Sequence, residues 1–286
     1  MLLAACLTAT ACGAGGDPPQ SAATTQATAA QSACPAAGGH DVDGGRLYVP
    51  SGARAGRTPL LVVVIPGPGG DTRDRLGLRR AALDRGLAIL HPTQSGEFWS
   101  LNHAQGDGDL DDVRGLVERT LAGGCFDTRR VSATGVSNGA GFATRLVCEM
   151  PGTFAGVAPV SAGFRALDPC SPGTHASLLA IHGTADTVVP YNGKRPGREG
   201  SVPRFAARWA KRSGCAASPR VTNPRRRVAR ITYRGCDGAL SVGIVRVSGA
   251  THGWFGARDP VFPQRNPSGY AATPDVVRFA LGVRGA

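Results

Sequence analysis

The sequence predicts an α/β fold with a mainly parallel central sheet and helices on both faces. Short apolar runs alternate with segments whose apolar residues recur at helical spacing, which is the pattern of strands joined by crossover helices. The clearest run, residues 60–65 (LLVVVI), is apolar throughout, as a strand buried on both faces requires. With 286 residues, 42% of them hydrophobic, the chain can form one domain with a sizeable core.

The elements follow one another along the chain with recognisable boundary signals. Gly86 is a good C-cap for the first helix, and Thr273-Pro274 is an N-cap and N1 pair for the last. The segment 92–108 is predicted to be a long surface loop. Strands are expected at residues 45–49, 60–65, 87–90, 129–136, 156–160, 178–181, 230–233 and 241–247, and helices at 71–85, 109–121, 140–149, 201–212 and 273–281.

The stretch from Gly135 to Gly139 reads Gly-Val-Ser-Asn-Gly and lies between a predicted strand and a predicted helix. In that context the pattern is typical of a nucleophile elbow, a tight turn that pushes the serine hydroxyl outward and leaves no room for a Cβ at the flanking positions. Because the chain contains 41 glycines, the five residues alone are a weak signal. Their position between strand and helix is what favours the elbow.

Ser137, Asp186 and His252 each come shortly after a predicted strand. The carboxyl ends of parallel strands meet at one edge of a sheet, so we expect these side chains to lie together. A serine needs a base to take its proton, and the base needs a carboxylate to orient it. The order Ser, Asp, His is that of the α/β-hydrolase fold. We therefore predict Ser137 as nucleophile, His252 as general base and Asp186 as its orienting carboxylate.

Each of the three positions also has a purely structural interpretation. Ser137 could be an ordinary turn serine, Asp186 could cap a turn, and His252 could lie on the surface. Asp168 is a rival carboxylate, but no strand precedes it. His182 stands at a strand end, where packing or hydrogen bonding is the simpler role.

Residues 1–12 form a short stretch of small and apolar residues that ends at Cys12. It is similar to the end of a bacterial lipoprotein signal peptide, with Cys12 as the lipidated residue, although Cys6 fits the lipobox pattern better and lies too near the start. Residues 13–37 have the composition of a flexible tether. We expect a signal peptide (1–12), a tether (13–37) and a single catalytic domain (38–286) in an exported protein, either secreted or lipid-anchored at the outer face of the cell envelope.

Six further cysteines suggest three disulfides in an exported protein, although six cysteines allow many pairings. Proximity in sequence favours Cys215–Cys236 and Cys148–Cys170, which leaves Cys34–Cys125. The sequence has no CxxC motif, and its histidines are not spaced as zinc ligands. We therefore expect neither a metal nor a cofactor.

The chain carries a formal net charge of +12, almost all of it from arginine. The densest cluster is Arg225-Arg226-Arg227, flanked by Arg220 and Arg230. A nucleic-acid site would interleave aromatic residues with such a cluster, and only Tyr233 is near. We expect a solvated basic surface and no nucleic-acid partner, while attraction to acidic polymers or anionic envelope surfaces stays open.

Several separated motifs resemble the poly(3-hydroxybutyrate) depolymerase-like esterases, a family that includes secreted feruloyl and acetylxylan esterases. They are residues 135–140 (GVSNGA), 181–186 (IHGTAD) and 252–254 (HGW), in that order, and the resemblance extends from about residue 45 to the end. It implies hydrolysis of a carboxylic ester through an acyl-enzyme on Ser137. Polyhydroxyalkanoates, feruloyl or acetyl polysaccharides and short esters are the substrates it suggests, and we expect a monomer.

One loop departs from the pattern of that family, which has His-Gly-Cys or a similar sequence after its first buried strand. This chain has Pro66-Gly67-Pro68-Gly69-Gly70, and a proline has no N–H to donate to an oxyanion. We predict Asn138 N–H as one donor and Gly69 N–H, or that of Gly70, as the second. The alternative is a catalytically weak or inactive envelope lipoprotein that uses the hydrolase fold for binding.

Three aromatic residues are candidates for contact with the substrate. Trp99 lies in the predicted loop 92–108, Tyr191 comes five residues after Asp186, and Trp254 comes two residues after His252. They could line an acyl or aromatic pocket, or they could equally be packing residues.

Overall fold

The computed structural model describes residues 34–66, 74–94, 96–164, 170–193, 200–257 and 264–285. The chain divides into two units, Met1–Gln31 and Ser32–Ala286, and every described residue lies in the second. The predicted signal peptide, Cys12 and residues 13–33 of the predicted tether lie outside the described ranges.

Ten strands and five α-helices make up the described part of the chain. The strands are β1 (Gly38–Val42), β2 (Gly45–Val49), β3 (Thr58–Val64), β4 (Ala88–Pro92), β5 (Phe126–Val136), β6 (Gly156–Val160), β7 (Ser177–Gly183), β8 (Arg220–Arg225), β9 (Val228–Tyr233) and β10 (Val242–Val247). The helices are α1 (Leu78–Leu83), α2 (Gly108–Ala122), α3 (Ser137–Glu149), α4 (Val202–Arg212) and α5 (Thr273–Gly282). None of these helices is long and apolar enough to span a bilayer.

All ten strands belong to one sheet, in the order β1-β2-β4-β3-β5-β6-β7-β10-β9-β8. The strands from β4 to β10 in this order pair in parallel, and an antiparallel pair extends the sheet at each end. The predicted fold class, a mainly parallel sheet covered by helices, is therefore confirmed. Strands β3, β5, β7 and β10 all end at the same edge of the sheet, which we call the C-terminal edge.

The apolar run of β3 is buried on both faces of the sheet, as its composition predicts. Leu60, Val62 and Val64 belong to the core that packs under α2, α3 and α4. Leu61 and Val63 alternate with them and belong to the core under α1 and α5. These five side chains are at most 1% exposed. Complete removal of such side chains from water stabilises the fold by roughly 1.5–3 kcal/mol each.

Two strands were not predicted, and both lie at an edge of the sheet. β1 pairs only with β2, and β8 pairs only with β9. Every residue of β8, which reads RVTNPR, is exposed. An edge strand with so little burial has no alternation of apolar and polar residues, so periodicity could not identify it.

The first helix begins later than its apolar spacing predicted. α1 starts at Leu78, immediately after Gly77, whose φ of 65° is left-handed and ends the preceding turn. The carboxylate of Asp74 then accepts the backbone N–H of Arg79 at 2.8 Å. The start of the predicted helix, residues 71–73, lies outside the described ranges.

Thr273 is the first residue of α5, so the predicted N-cap is displaced by one position, to Ala272. The hydroxyl of Thr273 donates to the carbonyl of Leu76 at 2.9 Å and accepts the indole N–H of Trp254 at 3.0 Å. Both hydrogen bonds go to residues outside α5, so the side chain connects this helix to other parts of the fold and does not cap it.

The three predicted cysteine pairs are bonded in the structure. Cys34–Cys125 joins the start of the described chain to the entry of β5, and Cys148–Cys170 joins α3 to the segment before β7. Cys215–Cys236 closes the segment that contains β8 and β9. Each bridge restricts the unfolded chain and so stabilises the domain, typically by about 2–4 kcal/mol.

Candidate active site

Ser137 lies at the junction of β5 and α3, on the C-terminal edge of the sheet. The preceding residue, Val136, is extended, whereas Ser137 has a φ of 56° in the left-handed region. A non-glycine residue held there costs on the order of 1–3 kcal/mol, which the surrounding structure must offset. The strained turn is the strand-to-helix elbow that the glycine spacing predicts.

Two glycines of the elbow face backbone atoms that leave no space for a side chain. A Cβ on Gly139 would lie 2.5 Å from the carbonyl oxygen of Val64 in β3. A Cβ on Gly135 would lie 2.7 Å from the backbone carbonyl of Gly139 and would also overlap Val64 O. Close approach of β3, β5 and α3 therefore depends on both glycines, because backbone atoms of packed elements cannot move aside.

We expect Gly135→Ala to lower the free energy of unfolding by roughly 3 kcal/mol, since the added methyl group meets backbone on two sides. Urea unfolding of the oxidised protein, followed by circular dichroism, measures this loss. Gly108→Ala is the matched control, because a Cβ at that position meets no atom within 4 Å. Equal stability of the two variants would contradict the close approach.

The structure brings Ser137, His252 and Asp186 together in a continuous chain of hydrogen bonds. The Nδ1–H of His252 donates to Oδ2 of Asp186 at 2.8 Å. Its Nε2 lies 2.9 Å from Oγ of Ser137 and is left to accept the hydroxyl proton. His252 and Asp186 are each 4% exposed, and Ser137 is half-buried. This arrangement can take a proton from the serine and stabilise the imidazolium that results.

Asp186 stays ionised although it is buried. Burial alone would raise its pKa, but hydrogen bonds from His182, His252 and the Val189 N–H outweigh that effect and hold the pKa of Asp186 well below its usual range. Oδ1 accepts the backbone N–H groups of Val188 at 3.0 Å and Val189 at 2.7 Å. The carboxylate is therefore fixed in orientation from one side before it meets His252.

Two further side chains, not predicted as site residues, support the histidine and the carboxylate. His182 lies with Nε2 3.2 Å from Oδ2 of Asp186 and 2.8 Å from Val189 O. Ser161 follows β6, donates to Gly253 O at 2.9 Å and accepts Gly253 N–H at 3.3 Å. Ser161 thus holds the residue next to His252, and only its place after a strand could have identified it.

Asn138 and Trp99 are joined by a reciprocal pair of hydrogen bonds. Oδ1 of Asn138 accepts Trp99 N–H at 2.8 Å, and its Nδ2 donates to Trp99 O at 3.0 Å. The indole N–H of Trp99 in turn donates to Ile65 O at 2.9 Å, just after β3. These bonds fix the peptide that follows Ser137. As part of the first turn of α3, the backbone N–H of Asn138 has no acceptor within its own helix.

Arg145 anchors the other end of the loop that carries Trp99. Its guanidinium is 1% exposed and donates to the carbonyls of Ser100 at 3.0 Å and Gly106 at 3.1 Å. The charge is paired with Glu149 at 2.8 Å and with Asp107. A buried arginine with this many acceptors makes one geometry of the loop far more stable than its alternatives.

Each of the three aromatic residues proposed to contact substrate is a packing residue in the structure. Trp99, Tyr191 and Trp254 are 2%, 6% and 3% exposed. Trp99 stacks on Phe142 with ring centroids 4.6 Å apart. The area that these side chains offer to a substrate is therefore small. Gly69, the other predicted oxyanion donor, lies outside the described residues, as does Asp168.

The described residues contain no group of three or more His, Cys, Asp or Glu side chains that could hold a metal ion.

Residues 44–167 match the family model described as "Esterase PHB depolymerase". This match confirms the resemblance that the separated motifs predict, and it supports the predicted class of enzyme, an esterase. The matched segment contains the elbow and ends before Asp186 and His252.

Two curated proteins are similar to the chain over part of their length. Feruloyl esterase B of Piromyces equi is 26% identical over 212 residues, which are 68% of this chain and 39% of that protein. Poly(3-hydroxyoctanoate) depolymerase of Pseudomonas fluorescens is 30% identical over 128 residues, 38% of this chain and 45% of that protein. The chain therefore spans less than half the length of either relative.

Among solved structures, the acetyl xylan esterase from Aspergillus awamori has the same fold. The two superpose with a TM-score of 0.55 over 73% of this chain and 88% of that one, at 17% sequence identity. At this identity the likeness establishes the fold and leaves the substrate open.

Proposed function

We propose that this protein is an exported serine hydrolase that cleaves carboxylic esters through an acyl-enzyme on Ser137. The observation that carries the proposal is the hydrogen-bonded series Ser137–His252–Asp186, assembled from the ends of three strands at one edge of the sheet. The family match over residues 44–167 gives independent support for ester chemistry.

The reaction begins when Nε2 of His252 takes the hydroxyl proton of Ser137 as Oγ attacks the ester carbonyl. The tetrahedral intermediate collapses, its carbonyl–oxygen bond breaks, and His252 gives the proton to the departing alcohol. Water then enters, is deprotonated by the same nitrogen and releases the acid from Ser137. Throughout, Asp186 holds the Nδ1–H of His252 and stabilises its positive charge.

Asn138 N–H supplies one donor to the oxyanion in this mechanism. Its position is held by the reciprocal bonds with Trp99, which preorganise the donor before substrate binds. The second donor comes from the loop after β3, where Gly69 or Gly70 can donate and the prolines cannot.

The substrate is an ester borne by a polymer or a short acyl ester. The names of the two curated relatives suggest a feruloyl ester and a polyhydroxyalkanoate, and the name of the acetyl xylan esterase of the same fold suggests an acetylated polysaccharide. The three disulfides fit an oxidising, extracellular compartment. If the exported protein is lipid-anchored, Cys12 is the residue that we propose carries the lipid.

A fluorophosphonate probe tests the chemistry without knowledge of the substrate. We expect it to label the peptide that contains Ser137 in the folded, oxidised protein, as read by mass spectrometry of the digest. A panel of p-nitrophenyl acyl esters, methyl ferulate, acetylated xylan and polyhydroxybutyrate then identifies the acyl group. Folded protein that takes up no label and hydrolyses no ester of the panel would contradict the proposal.

The sequence of the loop after β3 favours a second candidate, a lipoprotein that uses this fold for binding alone. Pro66 and Pro68 remove N–H groups where the family has a donor, and loss of one oxyanion donor typically costs on the order of 10²–10³ in rate. Efficient turnover of any ester by the unmodified chain excludes this candidate.

A further inference from the structure

A basic cavity of about 290 Å³ lies beside β8, β9 and β10, the last three strands in the order of the sheet. We call it the arginine pocket. Four of the residues that line it are arginines, and two are neutral and polar: Arg225, Arg226, Arg227, Arg246, Asn223 and Ser248. No carboxylate is among the lining residues.

The arginine pocket lies on the same edge of the sheet as the candidate active site. Val228, at the start of β9, pairs with Val247 at the end of β10, so the turn between β8 and β9 lies at the C-terminal edge. The carbonyl of Arg227 in that turn accepts the N–H of Ser248 at 2.8 Å. The next residue, Gly249, donates to the hydroxyl of Thr184 at 2.9 Å.

These contacts join the pocket to both loops of the candidate active site. Thr184 lies two residues before Asp186, and Ser248 lies four residues before His252. The N–H of Ala185 also donates to the carbonyl of Ala250 at 3.0 Å, which holds the two loops together. In the sheet the β8–β9 turn is four strand spacings from β5, about 19 Å at the usual spacing, so only a polymer of several residues bound in the pocket would extend to Ser137.

The arginines of the pocket have no carboxylate beside them in its lining. Within the described residues, none of the four forms an ion pair, and Nε of Arg246 is buried with no hydrogen-bond acceptor. Arg225 lies over the ring of Tyr270 at 5.3 Å, which orients a guanidinium without neutralising it.

The neighbouring Arg230 shows how an arginine is neutralised in this part of the fold. Its guanidinium pairs with the carboxylate of Asp275 at 2.6 Å. A buried donor without an acceptor is costly, and clustered guanidinium groups repel one another. An anion bound among the exposed guanidinium groups of Arg225, Arg226 and Arg227 would offset their mutual repulsion.

The turn at the mouth of the pocket has a backbone conformation that favours glycine. Arg227 has a φ of 65°, in the left-handed region. An arginine there costs on the order of 1 kcal/mol relative to glycine. Arg227→Gly therefore removes a charge from the pocket while relieving strain, which makes it an unusually clean test substitution.

We propose that the arginine pocket binds the carboxylate or phosphate groups of an acidic polysaccharide and holds such a polymer beside Ser137. Guanidinium groups bind these oxyanions through two parallel hydrogen bonds. The pocket has no aromatic lining on which bases could stack, which disfavours single-stranded nucleic acid. Sugar polymers carry carboxylic esters on their hydroxyl groups. Hydrolysis of such a polymer rests on the proposed function, whereas binding of the polymer in the pocket does not.

The binding test uses the full chain with Ser137→Ala, so that turnover cannot alter the ligand. Polygalacturonate is the probe, and its dissociation constant is measured by titration calorimetry at about 0.1 M salt. We expect Arg226→Gln with Arg227→Gly to weaken binding by roughly tenfold or more, because charge-assisted hydrogen bonds are lost. Thermal unfolding checks that the variant is folded.

A matched control removes the same charge elsewhere. Arg57→Gln with Arg85→Gln changes two exposed arginines that immediately precede β3 and the segment leading to β4, at the opposite edge of the sheet. We expect less than about a twofold change in affinity, since exposed distant charges are screened by salt. Equal weakening by both pairs would show attraction by net charge alone and would overturn the proposal. Tighter binding of duplex DNA than of polygalacturonate through the same arginines would overturn it in favour of nucleic acid.

A kinetic test with Ser137 intact extends the proposal to catalysis. We expect Arg226→Gln with Arg227→Gly to raise KM for acetylated polygalacturonate and to leave p-nitrophenyl acetate hydrolysis unchanged. An unchanged KM for the polymer would overturn the catalytic part of the proposal. If no ester is hydrolysed, the proposed function fails, while the binding result with Ser137→Ala still decides whether the pocket holds an acidic polysaccharide.

Discussion

Replacing Ser137 with alanine is expected to lower kcat/KM for a p-nitrophenyl ester by on the order of 10⁴-fold or more. The hydroxyl of Ser137 lies 2.9 Å from Nε2 of His252 and is the group that would form the acyl-enzyme. Without it, no acyl-enzyme can form, and His252 can act only by activating water directly. The residual rate then comes from binding and the oxyanion donors alone.

Initial rates with a short p-nitrophenyl ester measure this loss, and fluorophosphonate labelling should disappear with it. Ser132→Ala is a matched control on the same strand, β5. Its hydroxyl is buried and has no hydrogen-bond partner among the described residues, so its removal should leave both rate and stability nearly unchanged. Retention of more than about a tenth of the wild-type rate by Ser137→Ala would contradict the nucleophile assignment.

The sequence was sufficient to predict that Ser137, Asp186 and His252 lie together, because each follows a strand that could be recognised. Apolar runs such as residues 60–65 and 178–181 are short and bounded, so periodicity and composition identify them well. Once the strands are known to be parallel, the order of Ser137, Asp186 and His252 places all three at one edge. The prediction depended on three separate positions that all follow strands in the expected order, and no single motif was sufficient for it.

The supporting contacts could not be predicted, since they join residues that are distant along the chain. Asn138 and Trp99 are separated by 39 residues, and Arg145 and Ser100 by 45. No pattern in the neighbouring sequence distinguishes an asparagine that hydrogen-bonds to a distant loop from one that is exposed at the start of a helix. The arginine pocket is a similar case, because β8 is an exposed strand whose pairing determines where its arginines lie.

Asp186→Asn is expected to lower kcat/KM by on the order of 10⁴-fold while leaving the elbow intact. Oδ1 of Asp186 accepts two backbone N–H groups, from Val188 and Val189, so an asparagine oxygen would occupy that side. Its NH₂ group would then face Nδ1 of His252. A donor in this position requires Nδ1 to accept, which moves the imidazole proton to Nε2. The nitrogen next to Ser137 could no longer take the serine proton.

The control for this variant is Asp275→Asn, which changes another buried carboxylate. Asp275 accepts from Tyr270 at 2.6 Å and pairs with Arg230, so we expect lower stability and little loss of kcat/KM in the folded protein. Hydrogen bonds hold the pKa of Asp186 well below its usual range, so the carboxylate keeps its charge and its stabilising contribution until the pH falls through that depressed pKa. Rates of Asp186→Asn within about tenfold of wild type would show that another group orients His252.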